Sequence, residues 1–242
     1  MCVDCGCSPH DHHHDHHDHG AGTRLSVETN ILAKNDRLAA ANRKLFRDKG
    51  IFVLNLVSSP GSGKTTLLER TLRDLAGRYR CAVIEGDQQT DNDARRIAST
   101  GVPVRQINTG AGCHLDAHMV GHALEAFDLD HLDLILIENV GNLVCPASFD
   151  LGEHHKVVVL SVTEGEDKPL KYPQMFHAAD LMLLTKIDLL PHLDFKASQC
   201  ESFARIVSPG IEILQVSSKS GTGLPGWYAW LDEQMAALRS RR

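Results

Sequence analysis

Residues 51–66 read IFVLNLVSSPGSGKTT, and this stretch carries the clearest signal for the fold. Its first seven residues form a mostly apolar run, which is typical of a strand buried on both faces of a sheet. A glycine-rich turn and a helix start follow, and this context separates a phosphate-binding loop from a chance match. Position 58 is Ser where the usual pattern begins with Gly, but a small side chain fits there. The stretch therefore predicts a P-loop.

The chemistry of this loop gives its residues separate roles. Gly61 and Gly63 let successive backbone N–H groups point at phosphate oxygens, next to the N-terminus of the following helix. Lys64 would reach the outer phosphates, and the hydroxyl of Thr65 can ligate Mg²⁺. The predicted phosphate-binding residues are Pro60, Gly61, Ser62, Gly63, Lys64, Thr65 and Thr66.

Short apolar runs continue to alternate with helical patterns beyond the loop. The further strand candidates are CAVIE (81–85), VRQI (104–107), LDLILIE (132–138), KVVVLSV (156–162), LMLLTK (181–186) and IEILQVS (211–217). The helix candidates between and after them are Thr65–Leu75, Asp91–Ser99, His114–Ala126, Asp194–Ile206 and Leu224–Leu238. This alternation predicts an α/β fold with a mainly parallel sheet of about seven strands and helices on both faces.

Two segments precede this nucleotide-binding domain, which we assign to residues 50–242. Residues 1–24 contain Cys, then His and Asp, then Gly and Thr, without apolar periodicity, so we expect a flexible metal-binding tail. Residues 25–49 read as one amphipathic helix with Ser26 as its cap. The apolar face expected for that helix consists of Ile31, Leu32, Leu38, Leu45 and Phe46.

Composition and net charge argue against several classes of partner. The formal net charge of −6 and the lack of a basic stripe argue against a nucleic-acid partner. No signal peptide and no stretch long enough to span a membrane are visible, so we expect a soluble, cytoplasmic protein without a membrane partner. Three of the seven cysteines fall in the first seven residues, which suits metal ligation in a reducing compartment better than disulfides.

Carboxylates follow two of the predicted strands and complete a candidate hydrolytic site. LDLILIE ends at Glu138, which we predict to join Thr65 and Asp87 around Mg²⁺. Asp87 opens a candidate switch loop after CAVIE, in which Asp91 or Asp93 could position the attacking water. For Asp91, a simple helix-capping role is about equally consistent with the sequence. The predicted catalytic residues are Lys64, Asp87, Asp91 and Asp93.

The bound base is predicted from a later strand end. Residues 185–188 read TKID and resemble the NKxD element of GTPases, with Thr in place of Asn. The Asp188 carboxylate can accept hydrogen bonds from N1–H and the exocyclic amine of guanine, and adenine lacks this donor pair. Lys186 belongs to the same element, and Ser217 and Lys219 in residues 216–219, VSSK, resemble the element that supports the base. These residues favour GTP over ATP.

Cysteine and histidine form three further groups. Cys2, Cys5 and Cys7 give a C-x-x-C-x-C motif that can wrap one soft or borderline cation such as Ni²⁺. Seven histidines between residues 10 and 19 can hold several divalent ions loosely. The third group is a candidate Ni²⁺ or Zn²⁺ site beside the nucleotide and consists of Cys113, His114 and Cys145, with His118 one helical turn beyond His114.

A few further residues receive separate predictions. Cys81 and Cys200 lie in strand and helix patterns and are expected in the core. Lys168 is a candidate residue of the nucleotide site. Three leucines in DLLPHLDF could form a dimer contact or belong to the core; these are Leu189, Leu190 and Leu193.

The order of the motifs resembles the HypB family over essentially the whole chain. The motifs are CxxCxC, the His-rich tract, SSPGSGKTT, GDxxTDND, GCHLDAHMV, IENVGNLVCP, EGEDKPLKYP and TKIDLL. The resemblance implies a SIMIBI-class GTPase that serves nickel incorporation into [NiFe]-hydrogenase. It implies high-affinity nickel on the N-terminal cysteines and a second Ni²⁺ or Zn²⁺ site on the Cys113 group, at or near a dimer interface. It also implies a homodimer that depends on nucleotide or metal, a HypA-type nickel metallochaperone as partner, and delivery to the hydrogenase large subunit.

The resulting hypothesis is a nucleotide switch that controls metal affinity. We expect slow intrinsic GTP hydrolysis, because the sequence shows no obvious arginine finger near the phosphates. Three alternatives remain: a metal-storage protein with a vestigial nucleotide domain, a related accessory GTPase for urease or a cobalamin enzyme, and, more distantly, a P-loop small-molecule kinase.

Overall fold

The chain forms one parallel sheet with helices on both faces. The computed structural model describes the backbone of residues 20–88 and 90–240, with side chains from residue 29. The sheet has the strand order β3-β2-β4-β1-β5-β6-β7, and each pairing between neighbours is parallel. The strands are β1 Phe52–Ser58, β2 Cys81–Asp87, β3 Val104–Asn108, β4 Leu134–Gly141, β5 His155–Ser161, β6 Leu181–Thr185 and β7 Glu212–Gln215. The predicted fold class is confirmed.

Eight α-helices surround this sheet in the described part of the chain. They are α1 Gly20–Lys49, α2 Lys64–Asp74, α3 Asn92–Ala98, α4 Ala117–Leu124, α5 Lys168–Lys171, α6 Pro173–Ala178, α7 Ala197–Val207 and α8 Leu224–Ser240. The sequence did not predict α5 and α6, because helices of four and six residues are too short to show a helical period. None of the described helices combines the length and apolar character that crossing a bilayer requires.

The core lies on both faces of the central strands. Every residue of β1 is buried, as the run at 51–57 predicted. On one face the strands pack against α2 and α8, where the fully buried Trp227 donates from Nε1 to Thr71 Oγ1 at 3.0 Å. On the other face they pack partly against α4 and the end of α1, and partly against α6 and α7. Cys81 is buried on the first face and Cys200 on the second, as expected, and burial raises the pKa of each thiol to about 12.

The N-terminal helix differs from its prediction. It already includes Gly20, so Ser26 lies inside α1 and is not its cap. Its buried positions are Asn35, Ala39, Asn42 and Phe46, whereas Ile31 is 51% exposed. The predicted apolar face shares only Phe46 with the buried positions, because two of the buried residues are polar.

Those two asparagines hold the backbone at the start of α4. Asn35 Oδ1 accepts the N–H of Ala117 at 2.9 Å, and Asn42 Nδ2 donates to the carbonyl of the same residue at 2.9 Å. Asn42 also donates to the carbonyl of Leu151 at 3.1 Å. Helix α1 thereby joins α4 to the segment before β5.

Candidate functional site

The P-loop lies where β1 ends and α2 begins. Gly61 and Gly63 have φ values of 76° and 94°, a backbone region that strongly favours glycine. The loop borders an open cavity of about 530 Å³, at the carboxyl edge of the parallel strands where ligands of such sheets bind. Lys64 is buried there and donates to Ser58 Oγ at 2.6 Å. Burial lowers its pKa although several carboxylates lie nearby, and a phosphate ligand would add negative charge that favours the ammonium form.

A hydroxyl and a carboxylate meet beside the loop, as the magnesium prediction requires. Thr65 Oγ1 donates to Glu138 Oε1 at 2.7 Å, and both residues are buried. Among the described residues, Oε2 of Glu138 is a buried oxygen without a hydrogen-bond partner. Burial raises the pKa of Glu138 to about 7. Hard oxygen ligands suit Mg²⁺, so these two residues fit the predicted ion.

Two of the three carboxylates of the candidate switch loop line the cavity. Asp87 and Asp93 line the cavity, whereas Asp91 does not, and the Asp91 carboxylate instead contacts Arg95 at 2.6 Å. Asp91 occupies the N-cap position of α3 but makes no side-chain capping bond. Asp87 accepts hydrogen bonds from the backbone N–H and the hydroxyl of Thr90 at 3.1 and 2.6 Å. This geometry favours Asp87 and Asp93 over Asp91 as the groups that face a nucleotide.

Two further charged residues of this cavity were not predicted from the sequence. Arg96 lines the cavity from α3, contacting Glu69 Oε2 at 2.5 Å and Asp93 Oδ1 at 3.2 Å. Arg96 thus lies at this cavity, although the sequence showed no obvious arginine finger. Glu85 is buried and also lines the cavity; burial, then the charges of Glu138 and other carboxylates, raises its pKa to about 8. The helical period of α3 could have revealed Arg96, since it lies three residues after Asp93.

A second cavity, of about 270 Å³, adjoins the P-loop and is lined by three of the four residues predicted to bind the base. Lys186, Asp188 and Lys219 line it, together with Ser218, which was not predicted. Ser217 is fully buried and does not line the cavity; its hydroxyl donates to Asp188 Oδ1 at 2.6 Å, so it orients the carboxylate.

The residues before Asp188 hold the phosphate-binding loop in place. Thr185 stands where the NKxD element has Asn, and its hydroxyl donates to the carbonyl of Ser62 at 2.7 Å. Lys186 donates to the carbonyl of Gly61 at 2.7 Å and has a φ of 60°, which is unusual for a residue with a side chain. Both contacts connect the base cavity to the P-loop.

The three predicted metal ligands of the domain converge, although Cys145 lies 32 positions from Cys113 in the chain. Their ligand atoms all lie within 4.8 Å of one another. Cys113 Sγ is 2.9 Å from Cys145 Sγ and 3.7 Å from His114 Nδ1. Zn–S bonds of about 2.3 Å in tetrahedral geometry would place the sulfurs about 3.7 Å apart, so binding needs a small opening of the pair. Burial lowers the pKa of His114, which favours the neutral imidazole that ligates metals.

Side-chain amides connect the backbone of this Cys/His cluster to β4 and to the switch loop. Asn139 Oδ1 accepts the N–H of Leu115 at 3.1 Å, and Asn142 Nδ2 donates to the carbonyl of Cys113 at 3.2 Å. Gln88, next to Asp87, donates to the carbonyl of Gly112 at 3.2 Å. The residues on both sides of Cys113 and His114 are therefore held by segments that directly follow cavity-lining carboxylates.

The remaining predicted residues lie beside the P-loop, against the core, at the surface or outside the described part of the chain. Lys168 Nζ lies 3.3 Å from Ser59 Oγ, beside the P-loop. Leu189 and Leu190 pack partly against the core, whereas Leu193 is exposed. Cys2, Cys5, Cys7 and the histidines between residues 10 and 19 lie outside the described residues, so the tail site stays a prediction.

The sequence and fold are similar to characterised proteins of one family. Residues 52–215 match the family model described as CobW/HypB/UreG, nucleotide-binding domain. Hydrogenase maturation factor HypB of Azotobacter vinelandii is 65% identical over 218 residues, covering 90% of this chain and 72% of that protein. HypB of Escherichia coli (strain K12) is 59% identical over 232 residues, covering 94% and 80%. The crystal structure of HypB from Helicobacter pylori in complex with nickel is 42% identical, with a TM-score of 0.81, and the match covers 84% of this chain and 96% of that one.

Proposed function

This chain belongs to the HypB branch of the CobW/HypB/UreG family, and from that premise we propose that it is a GTP-hydrolysing nickel chaperone for [NiFe]-hydrogenase maturation. The membership confirms the resemblance drawn from the motifs, and it implies nucleotide hydrolysis by a P-loop domain. GTP as the nucleotide, Mg²⁺ as cofactor and Ni²⁺ as cargo are the finer parts of the proposal.

Guanine specificity is supported by the position of one carboxylate. Asp188 lines the base cavity and is oriented by the buried hydroxyl of Ser217. A guanine ring in this cavity would offer two N–H donors to the Asp188 carboxylate, whereas adenine would leave it unpaired. Thr185 takes no part in this contact, because its hydroxyl donates to the P-loop carbonyl of Ser62.

Hydrolysis would use the groups that line the phosphate cavity. Bound Mg²⁺ would neutralise phosphate charge, with Thr65 and Glu138 as ligands and Asp87 near its shell. Lys64, which now donates to Ser58 Oγ, would contact the outer phosphates, and Asp93, which lines the cavity, would orient a water molecule. Arg96 can turn from Glu69 and Asp93 toward the charge that develops during hydrolysis. Turnover stays slow while this arginine is held by carboxylates.

The observation that carries the proposed switch is the pair of asparagines after Glu138. Asn139 accepts a hydrogen bond from the N–H of Leu115, and Asn142 donates to the carbonyl of Cys113. Thr65 and Glu138 would give up their mutual hydrogen bond to hold Mg²⁺, and a shift of β4 would then pass through these amides to Cys113. The Cys113–Cys145 distance would change, and nickel affinity would change with it.

The proposed cargo follows from the ligand chemistry of the metal sites, and the proposed partners follow from membership of the family. Two thiolates and one imidazole suit Ni²⁺ and Zn²⁺, and the tail with Cys2, Cys5 and Cys7 would supply a second nickel site. We further propose a homodimer with the exposed Leu193 at its contact. The proposal also includes a HypA-type partner, delivery to the hydrogenase large subunit and a cytoplasmic location.

A nickel titration under different nucleotide states tests the switch. The protein is the full chain with Cys2, Cys5 and Cys7 changed to Ser, so that thiolate-to-nickel absorption reports the domain cluster. Nickel affinity is measured with a non-hydrolysable GTP analogue, with GDP and without nucleotide. We expect affinities that differ by about 5-fold to 150-fold, and nickel should change analogue affinity by the same factor.

Two variants control this experiment. Cys145→Ser should abolish the thiolate absorption, and Lys64→Ala should keep nickel binding but remove its dependence on nucleotide. Nickel affinities that are equal in all nucleotide states of the parent protein would contradict the switch.

A storage function is the second candidate, and the seven clustered histidines near the N-terminus favour it. Storage requires no nucleotide. Cells that carry Lys64→Ala should therefore keep both nickel accumulation and hydrogenase activity if the protein only stores metal. If it is a chaperone GTPase, accumulation persists and hydrogenase activity is lost.

A further inference from the structure

A buried lysine holds the backbone of the segment that carries Cys145. Lys156, on β5, is only 7% exposed and does not line the nucleotide cavity. Its Nζ donates to the carbonyls of Pro146 at 2.9 Å, Phe149 at 3.2 Å and Ala147 at 3.4 Å. An ammonium group has three N–H donors and no acceptor, so all three donors can be used by this one segment.

The same segment contacts both kinds of ligand in the Cys/His cluster. Cys145–Ala147 forms one turn of 3₁₀-helix, and Phe149 follows two residues later. The ring of Phe149 packs against the imidazole of His114, with the ring centroids 4.0 Å apart. Lys156 therefore holds the backbone next to one thiol and the backbone of the residue whose ring packs against the histidine.

A carboxylate and two amides connect this lysine to the other half of the cluster. Glu153 Oε1 lies 3.8 Å from Lys156 Nζ, and both side chains are buried. The same oxygen accepts a hydrogen bond from Asn55 Nδ2 at 3.0 Å, and Asn55 Oδ1 accepts one from Asn139 Nδ2 at 3.2 Å. Asn139 in turn accepts the N–H of Leu115 at 3.1 Å. A row of buried polar groups thus crosses β5, β1 and β4 between the two segments that carry the cluster.

Burial makes the contacts of this lysine hard to replace. A buried ammonium group is stable only while hydrogen-bond acceptors and an opposite charge compensate it. Without it, three carbonyl dipoles would point at a space with no donor, and residues 145–149 would move toward water to hydrate them. That movement would take the thiol of Cys145 away from that of Cys113, from which it now lies 2.9 Å.

We propose that Lys156 is the positioning residue of the Cys/His cluster. Its ammonium group keeps Cys145 close enough to Cys113 for both thiols to bind one borderline cation. Groups behind the ligands of a metal site orient those ligands in this way. The importance of this spacing for nickel rests on the proposed function, whereas the spacing itself does not.

Affinity for a dithiol reagent tests the spacing without nickel or nucleotide. The protein is the full chain with Cys2, Cys5 and Cys7 changed to Ser. Phenylarsine oxide forms one As–S bond to each of two neighbouring thiols and releases water, and the oxidation state of arsenic does not change. Cys145→Ser should abolish this binding. In Lys156→Met, which keeps the length of the side chain but not its donors, the dissociation constant should rise about 10-fold.

A matched variant separates positioning from a general loss of stability. Thr71→Val removes a different buried hydrogen bond, the one that Trp227 Nε1 donates on the face of the sheet covered by α2 and α8. It should lower the free energy of unfolding in urea and leave the affinity for phenylarsine oxide unchanged. Glu153→Gln is a milder second variant, because it keeps the ammonium group and removes its carboxylate partner. Its affinity for phenylarsine oxide should fall less than that of Lys156→Met.

Nickel adds a spectroscopic readout. At saturating Ni²⁺, the thiolate-to-nickel absorption should be weaker in Lys156→Met than in the parent protein and unchanged in Thr71→Val. Two results would overturn the positioning role: an unchanged affinity of Lys156→Met for phenylarsine oxide, or an equal loss of affinity in Thr71→Val. If Lys156→Met does not fold, an unchanged affinity of Glu153→Gln overturns it. The arsenical measurement needs no nickel binding, so failure of the proposed function would be seen separately.

Discussion

The buried carboxyl group of Glu85 should make the nucleotide-free protein less stable as the pH rises. The unfolded chain releases this proton near pH 4.5, whereas the folded protein keeps it to about pH 8. Between these values the unfolded state binds fewer protons, so the free energy of unfolding falls with increasing pH. The perturbation is Glu85→Gln, which keeps the shape of the side chain and removes the titration.

The size of the effect follows from the pKa of about 8. Each pH unit over which only the unfolded state has ionised costs about 1.4 kcal/mol, and the slope weakens near the folded pKa. From pH 6 to pH 8, Glu85 should therefore lower the stability of the parent protein by about 2 kcal/mol. Glu85→Gln should lack this loss and keep only the part that Glu138 and other groups contribute.

Urea unfolding at pH 6, 7 and 8, at constant ionic strength and with a chelator to remove Mg²⁺, measures this difference. Glu233→Gln, an exposed position on α8, is the matched control and should follow the parent protein at each pH. If parent and Glu85→Gln lose the same stability between pH 6 and pH 8, the carboxyl group is ionised in the folded state and the reasoning is refuted.

Three further predictions concern base recognition, hydrolysis and the N-terminal helix. Asp188→Asn should transfer preference from GTP to xanthosine triphosphate, measured by competition binding, because the amide can donate to the second carbonyl of xanthine. Arg96→Ala should slow GTP hydrolysis about 10-fold or more in single-turnover assays, with nucleotide affinity nearly unchanged. Asn42→Ala should lower the free energy of unfolding in urea by about 2 kcal/mol, because the carbonyls of Ala117 and Leu151 lose a buried donor.

Each of these predictions has a neighbouring control. Asp194→Asn should keep GTP preference, and Arg95→Ala, beside Arg96 but paired with Asp91, should hydrolyse GTP normally. Asn30→Ala, exposed on the same helix as Asn42, should unfold like the parent protein. Equal behaviour of any test variant and its control would contradict the corresponding role.

The sheet and the P-loop could be predicted from the sequence alone. These features are local, since strand, glycine turn and helix start follow one another within residues 51–66. The same locality explains why all seven strands were found, with ends that differ by a few residues. Where the local signal was weak, as in α5 and α6, or where polar residues were buried, as on α1, the prediction was incomplete or wrong.

Contacts between residues that are distant in the chain could be identified only from the tertiary structure. It brought Glu138 to Thr65, because the parallel strands β1 and β4 pair and end at the same edge of the sheet. It brought Cys145 to Cys113, because β3 and β4 both pair with β2 and end at that edge. It also turned Arg96 into the phosphate cavity and Asp91 away from it. Spacing along a chain cannot report such contacts, because they depend on strand order and on the packing of helices whose sequences are far apart.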